Sequence, residues 1–196
     1  MSDFRKQQTK WNARYAEVES DAPPSAAQVL MENQHLLPDT GVALEVACGL
    51  GGNAWLLAEK GFETHAWDAS NVAVERLCSS AKARGLSIQA QVRDVVNQPP
   101  TENRYDVIVA SRFLQRSLIP KIIAALTSGG LVFYQTFIQD KPADLGPNNP
   151  DYLLAENELL QLFSGLRILV YREEGQVGQV TQGFRGEAML VGQKRP

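Results

Sequence analysis

Residues 43 to 55, with the sequence ALEVACGLGGNAW, form the stretch best suited to hold a small ligand. An apolar run carries one acid, Glu45, and is followed by glycines and then by a second apolar run. Gly49 and Gly51 lie where a strand would turn sharply into a helix, and glycine permits both the backbone angles of such a turn and a close approach by a ligand. The free amides of the helix N-terminus would then face that ligand.

Two ligand classes fit this loop, a dinucleotide and S-adenosylmethionine. The letters GLGGNA match the loose dinucleotide pattern G-x-G-x-x-G/A, with Ala54 in the last place. Glu45 separates the two classes, because a carboxylate repels an anionic pyrophosphate but attracts the ammonium and sulfonium groups of S-adenosylmethionine, directly or through water. The acid therefore favours S-adenosylmethionine.

Polar residues also end the next three predicted strands. Asp68 would bind ribose hydroxyls in either ligand class, so it does not discriminate between them. Asp94 could accept a hydrogen bond from an adenine amino group while Val95 covers the ring, and Ser111 ends the fourth strand. A dehydrogenase needs a second catalytic element, and no tyrosine here has the spacing Y-x-x-x-K. An NAD(P)-binding oxidoreductase or a non-catalytic nucleotide-binding domain stays the alternative.

The elements that must position these residues alternate between strands and helices. We predict strands over 42–47, 62–68, 86–94, 104–111 and 130–137, with helices over 52–61, 70–85 and, after Pro120, within 117–130. Two helices precede them, over 4–19 and 26–37, and a helix over 153–163 and strands over 166–173 and 186–194 follow them.

This alternation is typical of βαβ units with a parallel sheet, whose ligands bind outside the carboxyl ends of the strands. A polar, glycine-containing connection of about a dozen residues without helical periodicity joins the last two strands, so they should be antiparallel neighbours. The predicted fold is α/β and Rossmann-like: a doubly wound, seven-stranded, mostly parallel sheet with an antiparallel last strand and helices on both faces.

A chain of 196 residues suggests a single domain. We expect a helical cap over residues 1–38, a cofactor-binding core over 42–138, and a loop, helix and final strand pair over 139–196. In the cap, Trp11 and Tyr15 are four residues apart and so share a helix face. Prolines 23 and 24 break the chain after that helix and predict a hinge.

Composition excludes several classes of function. The net charge of −3 gives no attraction to nucleic acid or to anionic membranes. The N-terminus has no apolar signal segment, and no apolar run approaches the roughly 20 residues that span a bilayer. The two cysteines form no C-x-x-C pair and only two histidines accompany them, so we expect no metal site and a reduced, cytoplasmic protein.

Several segments together resemble a known family. The letters ALEVACGLGGNAWLLAEKGFETHAWDAS are similar to the first two motifs of class I S-adenosylmethionine-dependent methyltransferases, and VRDV, YDVIVASRFLQR and LTSGGLVFYQTF to the motifs that follow. The segments WNARYAE and GPNNPDYLLAENELLQLF resemble the small bacterial tellurite-resistance and thiopurine-methyltransferase-like group. The chain departs from the family at Ala47, where glycine is usual, and at Glu45, where aspartate is usual.

The resemblance implies S-adenosylmethionine as the cofactor and a small molecule as the methyl acceptor. The cofactor-binding residues it implies, together with those argued above, are Glu45, Ala47, Gly49, Gly51, Asn53, Asp68, Ala69, Asp94, Val95 and Ser111. It also implies an N-terminal helix that closes over the cofactor through Trp11 and Tyr15, with Arg14 positioned to pair with the cofactor carboxylate.

Arg112, Phe113 and Arg185 are the candidate acceptor-binding residues; the first two follow strand four, at the place toward which the methyl group would point. No catalytic residue is predicted. The absence of a convincing base near strand four favours a soft thiol or chalcogen acceptor, which needs no deprotonation.

Overall fold

A computed structural model of the chain describes residues 3–19, 24–142 and 145–195. Within these ranges the helices are α1 (Asp3–Ala16), α2 (Gln28–Asn33), α3 (Gly52–Glu59), α4 (Asn71–Ala83), α5 (Ile119–Ala125) and α6 (Glu158–Leu162). The strands are β1 (Val42–Val46), β2 (Glu63–Asp68), β3 (Ile88–Val92), β4 (Tyr105–Ser111), β5 (Leu126–Phe137), β6 (Arg167–Glu173) and β7 (Glu187–Gln193).

All seven strands belong to one sheet, in the order β3-β2-β1-β4-β5-β7-β6. The pairs among β1 to β5 are parallel, and β7 is antiparallel to both β5 and β6. The predicted seven-stranded sheet with its antiparallel last strand is confirmed. The chain direction across the sheet reverses between β1 and β4, and ligands of such folds bind at that switch point.

Side chains along β1 point alternately to the two faces of the sheet, and each face is covered by different helices. Leu44 and Val46 belong to a buried cluster that includes residues of α5 and α6. Ala43 belongs to a cluster on the other face that includes residues of α2 and α3, and α4 packs beside α3 against β2 and β3. Helices therefore cover both faces, as predicted, and both clusters are almost fully buried.

Some elements are shorter than predicted. The helix predicted over 153–163 is only α6, because Leu154 forms a bridge with Ile138 and Asn157 has a left-handed backbone with φ of 58°. The helix predicted within 117–130 ends at Ala125, because the next residue already pairs with Tyr105. α1 ends at Ala16, and a short 3-10 turn rather than α-helix follows α2.

The long connection after β5 is fastened to the sheet by Arg116. Its guanidinium bonds both carboxylate oxygens of Glu158, at 2.5 and 2.9 Å, and also the carbonyls of Asp151 and Leu153, at 2.9 and 3.0 Å. A planar guanidinium suits this multiple recognition, since its donors lie in a fixed fork. The clamp fixes the chain near residues 151–158 beside the carboxyl end of the sheet.

Within the described residues, no helix combines the length and the apolar character needed to cross a membrane. The hinge predicted at prolines 23 and 24 is described only in part, since Pro23 lies outside the described residues.

Candidate cofactor and acceptor site

The turn between β1 and α3 has three residues with left-handed backbone angles. Ala47, Gly49 and Gly51 have φ of 53°, 52° and 82°. The turn is closed by hydrogen bonds from the Cys48 amide to the Trp67 carbonyl, at 2.9 Å, and from the Gly51 amide to the Cys48 carbonyl, at 2.8 Å. Ala47 thus adopts a conformation that a methyl side chain disfavours, which is where the resembling family has glycine.

The two glycines of the turn lack a side chain for different reasons. A Cβ atom at Gly49 would lie 2.5 Å from the Tyr15 hydroxyl oxygen, so this glycine lets Tyr15 of α1 pack against the main chain. A Cβ atom at Gly51 would lie 2.5 Å from Cδ1 of Leu77, so this glycine lets α3 and α4 pack closely. Gly49, rather than Gly51, is therefore the glycine of the turn that faces α1.

Asp68 is a buried carboxylate that joins two loops. Its oxygens accept hydrogen bonds from the amides of Gly49 and Ser70, each at 2.8 Å, and only 6% of the residue is exposed. Burial raises the pKa of Asp68, and the backbone hydrogen bonds oppose the shift. The cap of α4 is the Ser70 hydroxyl, which accepts from the Ala73 amide at 3.1 Å, so the helix does not need Asp68 as a cap.

Glu45 is more deeply buried and has partners within the protein for both oxygens. It accepts from the Asn53 side-chain amide and from the Ala54 backbone amide, both at 2.7 Å. Burial raises the pKa of Glu45 to about 7, and these hydrogen bonds oppose the shift. A cofactor contact of Glu45 stays a prediction, and it would have to share oxygens that the start of α3 already uses.

Asn53 connects three parts of the site. Besides Glu45, its side-chain nitrogen donates to the Ser111 hydroxyl at 3.1 Å, and its oxygen accepts from the Ala27 amide at 2.8 Å. The cofactor loop, the end of β4 and the segment before α2 are therefore held by one amide.

α1 lies over the glycine turn. Tyr15 is half-buried there, and desolvation raises the pKa of its phenol, so the hydroxyl stays protonated near neutral pH. The rings of Trp11 and Tyr15 are 6.0 Å apart, as their shared face predicts. Arg14 is exposed, with its guanidinium 5.7 Å from the Trp11 ring.

Polar contacts fasten α1 to the start of α4. Gln8 donates to the Ala69 carbonyl at 3.0 Å, and Asn12 bonds the side chains of Ser70 and Asn71, both at 2.7 Å. Arg76 donates to the carbonyls of Tyr15 and Val18, at 2.8 and 2.7 Å. α1 thus closes the side of the site next to Asp68.

The residues after β3 form a tight turn. Asp94 accepts from the amides of Val96 and Asn97, at 3.2 and 3.3 Å, and from the Asn97 side chain at 2.7 Å. Val95 is buried in the cluster on the α5 face, with 8% of its surface exposed. The adenine contacts of Asp94 and Val95 stay predictions.

The acceptor candidates after β4 differ in their surroundings. Arg112 is exposed, has a left-handed φ of 52°, and donates through Nε to Glu187 at 2.9 Å. Phe113 is half-buried, and its carbonyl accepts from the Tyr134 hydroxyl at 2.6 Å. Arg185 donates to carbonyls of the β6–β7 connection, including those of Gly175 and Val177 at 3.0 and 2.9 Å. Its guanidinium therefore stabilises that connection.

Two residues of this region are not among the sequence candidates. Gln135 and Glu187 are polar side chains buried in β5 and β7, and they are hydrogen-bonded to each other. The signal in the sequence is a glutamine within the apolar run LVFYQTF and a glutamate at the start of GEAMLVG. The sequence does not show that these two side chains are partners, because 51 residues lie between them.

The residues fit S-adenosylmethionine. Asp68 keeps lone pairs for ribose hydroxyls beyond the two amides it accepts, and Tyr15 packs over the turn at Gly49. Two buried carboxylates suit a ligand that carries an ammonium and a sulfonium.

Comparison with known proteins agrees with this geometry. The family model described as "Tellurite resistance protein TehB" matches residues 15–186. The chain belongs to the TehB family. A relative of this TehB-family chain, Hemagglutinin 1 of Eikenella corrodens, is 30% identical over 139 residues, which make up 66% of this chain and 45% of that protein. The chain therefore spans less than half the length of that relative.

Solved structures show the same fold. TehB from Haemophilus influenzae has a TM-score of 0.71 and 22% identity, over 94% of this chain and 67% of that chain. Geranyl diphosphate C-methyltransferase from Streptomyces coelicolor A3(2), in complex with Mg²⁺, geranyl diphosphate and S-adenosyl-L-homocysteine, has a TM-score of 0.71 and 11% identity, over 98% of both chains. The likeness to these two structures shows that this TehB-family chain shares their fold.

The strained turn of this TehB-family chain gives a first prediction. We expect Ala47→Gly to raise the free energy of unfolding by about 0.5–1 kcal/mol, because removing the left-handed strain outweighs the extra entropy of glycine in the unfolded chain. Ala58→Gly, next to the last residue of α3 and also half-buried, is the matched control and should lower it by about 0.5–1 kcal/mol. Urea unfolding measures both, and equal losses would contradict the strain at Ala47.

Glu45 gives a prediction about pH. Its pKa in the folded state, about 7, lies above the ordinary value of 4.5, so the folded protein holds this proton more tightly than the unfolded chain does. The resulting stability is complete below pH 4.5 and is lost as the pH rises through 7. The loss should be on the order of 3 kcal/mol.

Urea unfolding between pH 4 and pH 8 measures the predicted decrease in the free energy of unfolding. Glu45→Gln cannot titrate, so its unfolding free energy should lack this decrease even though the variant is less stable at low pH. Glu59→Gln, which removes an exposed carboxylate at the end of α3, should keep the wild-type profile. A Glu45→Gln profile parallel to the wild type would show that Glu45 does not cause the decrease.

Proposed function

We propose that this chain transfers the methyl group of S-adenosylmethionine to a small soft nucleophile, a thiol or another chalcogen. The observation that carries the proposal is the arrangement of the Gly49 turn, the buried Asp68 carboxylate beside it and the Tyr15 hydroxyl above it. Family membership and fold support methyl transfer, and the acceptor class is inferred from the site.

In this proposal Asp68 binds the ribose hydroxyls and Asp94 the adenine amino group. The oxygens of Asp68 accept one backbone hydrogen bond each, which leaves lone pairs for the ligand. The amides at the start of α3 and the Asn53 network position the methionine end, and Trp11, Arg14 and Tyr15 cover it.

The bound cofactor would supply an already activated methyl group. The chain then has to hold the acceptor in line with that group and to exclude water, and these two effects can supply much of the rate. α1, fastened over the turn by Asn12 and Gln8, provides the exclusion.

The charge states around the site favour a soft or already ionised acceptor. Burial raises the pKa of the Cys48 thiol, so it stays neutral. Tyr15 stays protonated, and the Glu187 carboxylate is paired with Arg112. His65 lies in the middle of β2, 3.1 Å from Glu63, away from the strand end. Glu158, in the segment after β5, is likewise paired with Arg116.

The domain has three parts in this proposal, and it acts on a small molecule in the cytoplasm. Residues 1–38 act as the cap, 42–138 as the cofactor-binding core and 139–196 as the acceptor side of one domain. The acceptor is a small molecule rather than nucleic acid, in accord with the net charge of −3. The free thiols Cys48 and Cys78 accord with a reducing, cytoplasmic setting.

Turnover of methyl-labelled S-adenosylmethionine tests the activity. The acceptors are small thiols, selenols, tellurite, phenols and amines, with NAD and NADP as binding controls in a thermal-shift assay. We expect label transfer to thiols, selenols or tellurite and stabilisation by S-adenosylhomocysteine but not by NAD or NADP. Transfer only to phenols or amines would contradict the soft acceptor, and stabilisation only by NAD or NADP would contradict the methyltransferase.

Asp68 gives the binding prediction. Asp68→Asn should weaken S-adenosylhomocysteine binding by more than tenfold, because charged hydrogen bonds to two ribose hydroxyls are worth on the order of 1.5–3 kcal/mol. Asn keeps an acceptor for one of the two backbone amides, and the melting temperature shows whether the fold survives. Asp39→Asn, at an exposed position before β1, removes the same charge at the other edge of the sheet and should bind normally. Unchanged calorimetric binding by Asp68→Asn would refute the ribose assignment.

A further inference from the structure

We propose that Arg93 is a positioning residue for the adenine of the cofactor, because it stacks on Trp67 and holds the turn that carries Asp94 and Val95. The inference rests on the proposed function, since it concerns the adenine end of that same site. Arg93 acts through the turn and not by touching the cofactor.

The connection between β3 and β4 is the first observation. Helices lie in the connections that follow β1, β2 and β4, whereas residues 93–104, all of which the structure describes, form no helix. A connection without a helix lacks the regular backbone hydrogen bonds and the apolar face that would pack it on the sheet. Other contacts must therefore fix the turn over residues 94–98.

Arg93 supplies contacts at both ends of this turn. Its amide donates to the Asp68 carbonyl at 2.8 Å. Its Nε donates to the Gln98 carbonyl at 2.9 Å, and one Nη donates to the Pro99 carbonyl at 3.3 Å. The chain leaves β3 at Arg93 and returns to the same side chain at Gln98 and Pro99, so one guanidinium closes the turn.

The ring of Trp67 supports this guanidinium. The central carbon of the Arg93 guanidinium lies 3.7 Å from the centroid of the Trp67 ring, which is within the range of a cation–π contact. Tyr105 packs edge-on against the same ring, with the centroids 6.1 Å apart. Trp67 is 2% exposed, and among the described residues its indole nitrogen has no hydrogen-bond partner. A buried N–H without an acceptor is costly, so the face of the ring accounts for a tryptophan here.

Trp67 also connects the adenine end to the rest of the cofactor site. Its carbonyl accepts from the Cys48 amide of the glycine turn at 2.9 Å, and Asp68 follows it directly in the chain. The stack of Arg93 on Trp67 therefore fixes the turn over residues 94–98 relative to the carboxylate that is proposed to bind the ribose.

The turn presents a carboxylate whose orientation is set by the turn itself. The carboxylate of Asp94 accepts from the amides of Val96 and Asn97, and its carbonyl accepts from the Gln98 amide at 2.7 Å. The carboxylate keeps lone pairs for a further donor such as an adenine amino group. A shift of the turn away from the Trp67 ring moves Asp94, so the loss of Arg93 is felt at the amino group of the purine.

Calorimetry with two ligands tests the proposal. The ligands are S-adenosylhomocysteine and S-inosylhomocysteine, in which an oxygen replaces the amino group of the purine. The variants are Arg93→Met, Arg93→Lys and Asp94→Asn, with Arg104→Met as the matched control. Arg104 lies at the other end of the same connection and also beside an aromatic ring, with its guanidinium carbon 5.9 Å from the Tyr105 centroid.

We expect wild type to bind S-adenosylhomocysteine on the order of 10-fold more tightly than the inosyl analogue, because Asp94 faces an oxygen in the analogue. Arg93→Met should weaken binding of S-adenosylhomocysteine by about 10-fold and bring the ratio of the two affinities toward one. Arg93→Lys should recover part of the ratio, since lysine keeps a cation over the ring but has no planar fork for the two carbonyls. Arg104→Met should keep both the affinity and the ratio.

A double variant separates positioning from a general loss of packing. If Arg93 acts through Asp94, the combination of Arg93→Met with Asp94→Asn should bind about as weakly as Asp94→Asn alone, because the two losses share one contact. Additive losses, an unchanged ratio in Arg93→Met, or an equal change in Arg104→Met would overturn the proposal.

A measurement without ligand separates this inference from the proposed activity. Hydrogen exchange of the Gln98 amide, followed by NMR, should become on the order of 10-fold faster in Arg93→Met and stay unchanged in Arg104→Met, because Arg93 keeps the turn closed. If wild type binds neither ligand but this difference holds, the proposed function and the adenine assignment fail, while Arg93 still holds the turn. An exchange rate that Arg93→Met leaves unchanged would refute the hold of Arg93 on the turn, whatever the binding.

Discussion

The left-handed turn between β1 and α3 is the constraint on which the site depends. It brings the chain from a fully buried strand into a helix within a few residues, so the first amides of α3 face the carboxyl end of the sheet. The same turn brings the main chain at Gly49 against the Tyr15 hydroxyl of α1. A different turn would remove the surface on which α1 rests. Ala47 shows that the conformation is retained even at a position where the side chain disfavours it.

Two buried carboxylates hold the surroundings of this turn, and their partners differ. Asp68 joins the glycine turn to the start of α4, and Glu45 joins β1 to the start of α3. Asn53 extends the second network to the cap segment and to the end of β4. The cofactor side and the acceptor side of the site are therefore parts of one hydrogen-bonded unit. Through Ser111 this network reaches the residue that directly precedes Arg112.

The sequence predicts the local features well. Alternation and glycine placement predicted the strands, their mostly parallel order and the antiparallel end, because these follow from period and turn chemistry. The partners of Glu187 and Arg112 could not be predicted, since they lie on strands distant in the chain. The short α6 was missed because Leu154 bonds the sheet and Asn157 turns left-handed, and tertiary pairing there overrides helical periodicity. That the Ser70 hydroxyl caps α4, which leaves Asp68 without that task, is likewise seen only in the geometry.

The central claim is that α1 closes over a cofactor bound at the glycine turn. Hydrogen exchange of residues 3–19, with and without S-adenosylhomocysteine, tests it most directly, with α5 on the opposite face of the sheet as an internal reference. The contacts of α1 are a few polar bonds to the start of α4 and the Tyr15 ring over Gly49, so the helix should exchange rapidly alone and slowly once the ligand fills the space beneath it. The account predicts a slowing confined to α1 and the loops around Gly49 and Asp68, with α5 unchanged. Equal protection of residues 3–19 in both states would show that α1 is a permanent part of the core and would contradict the account.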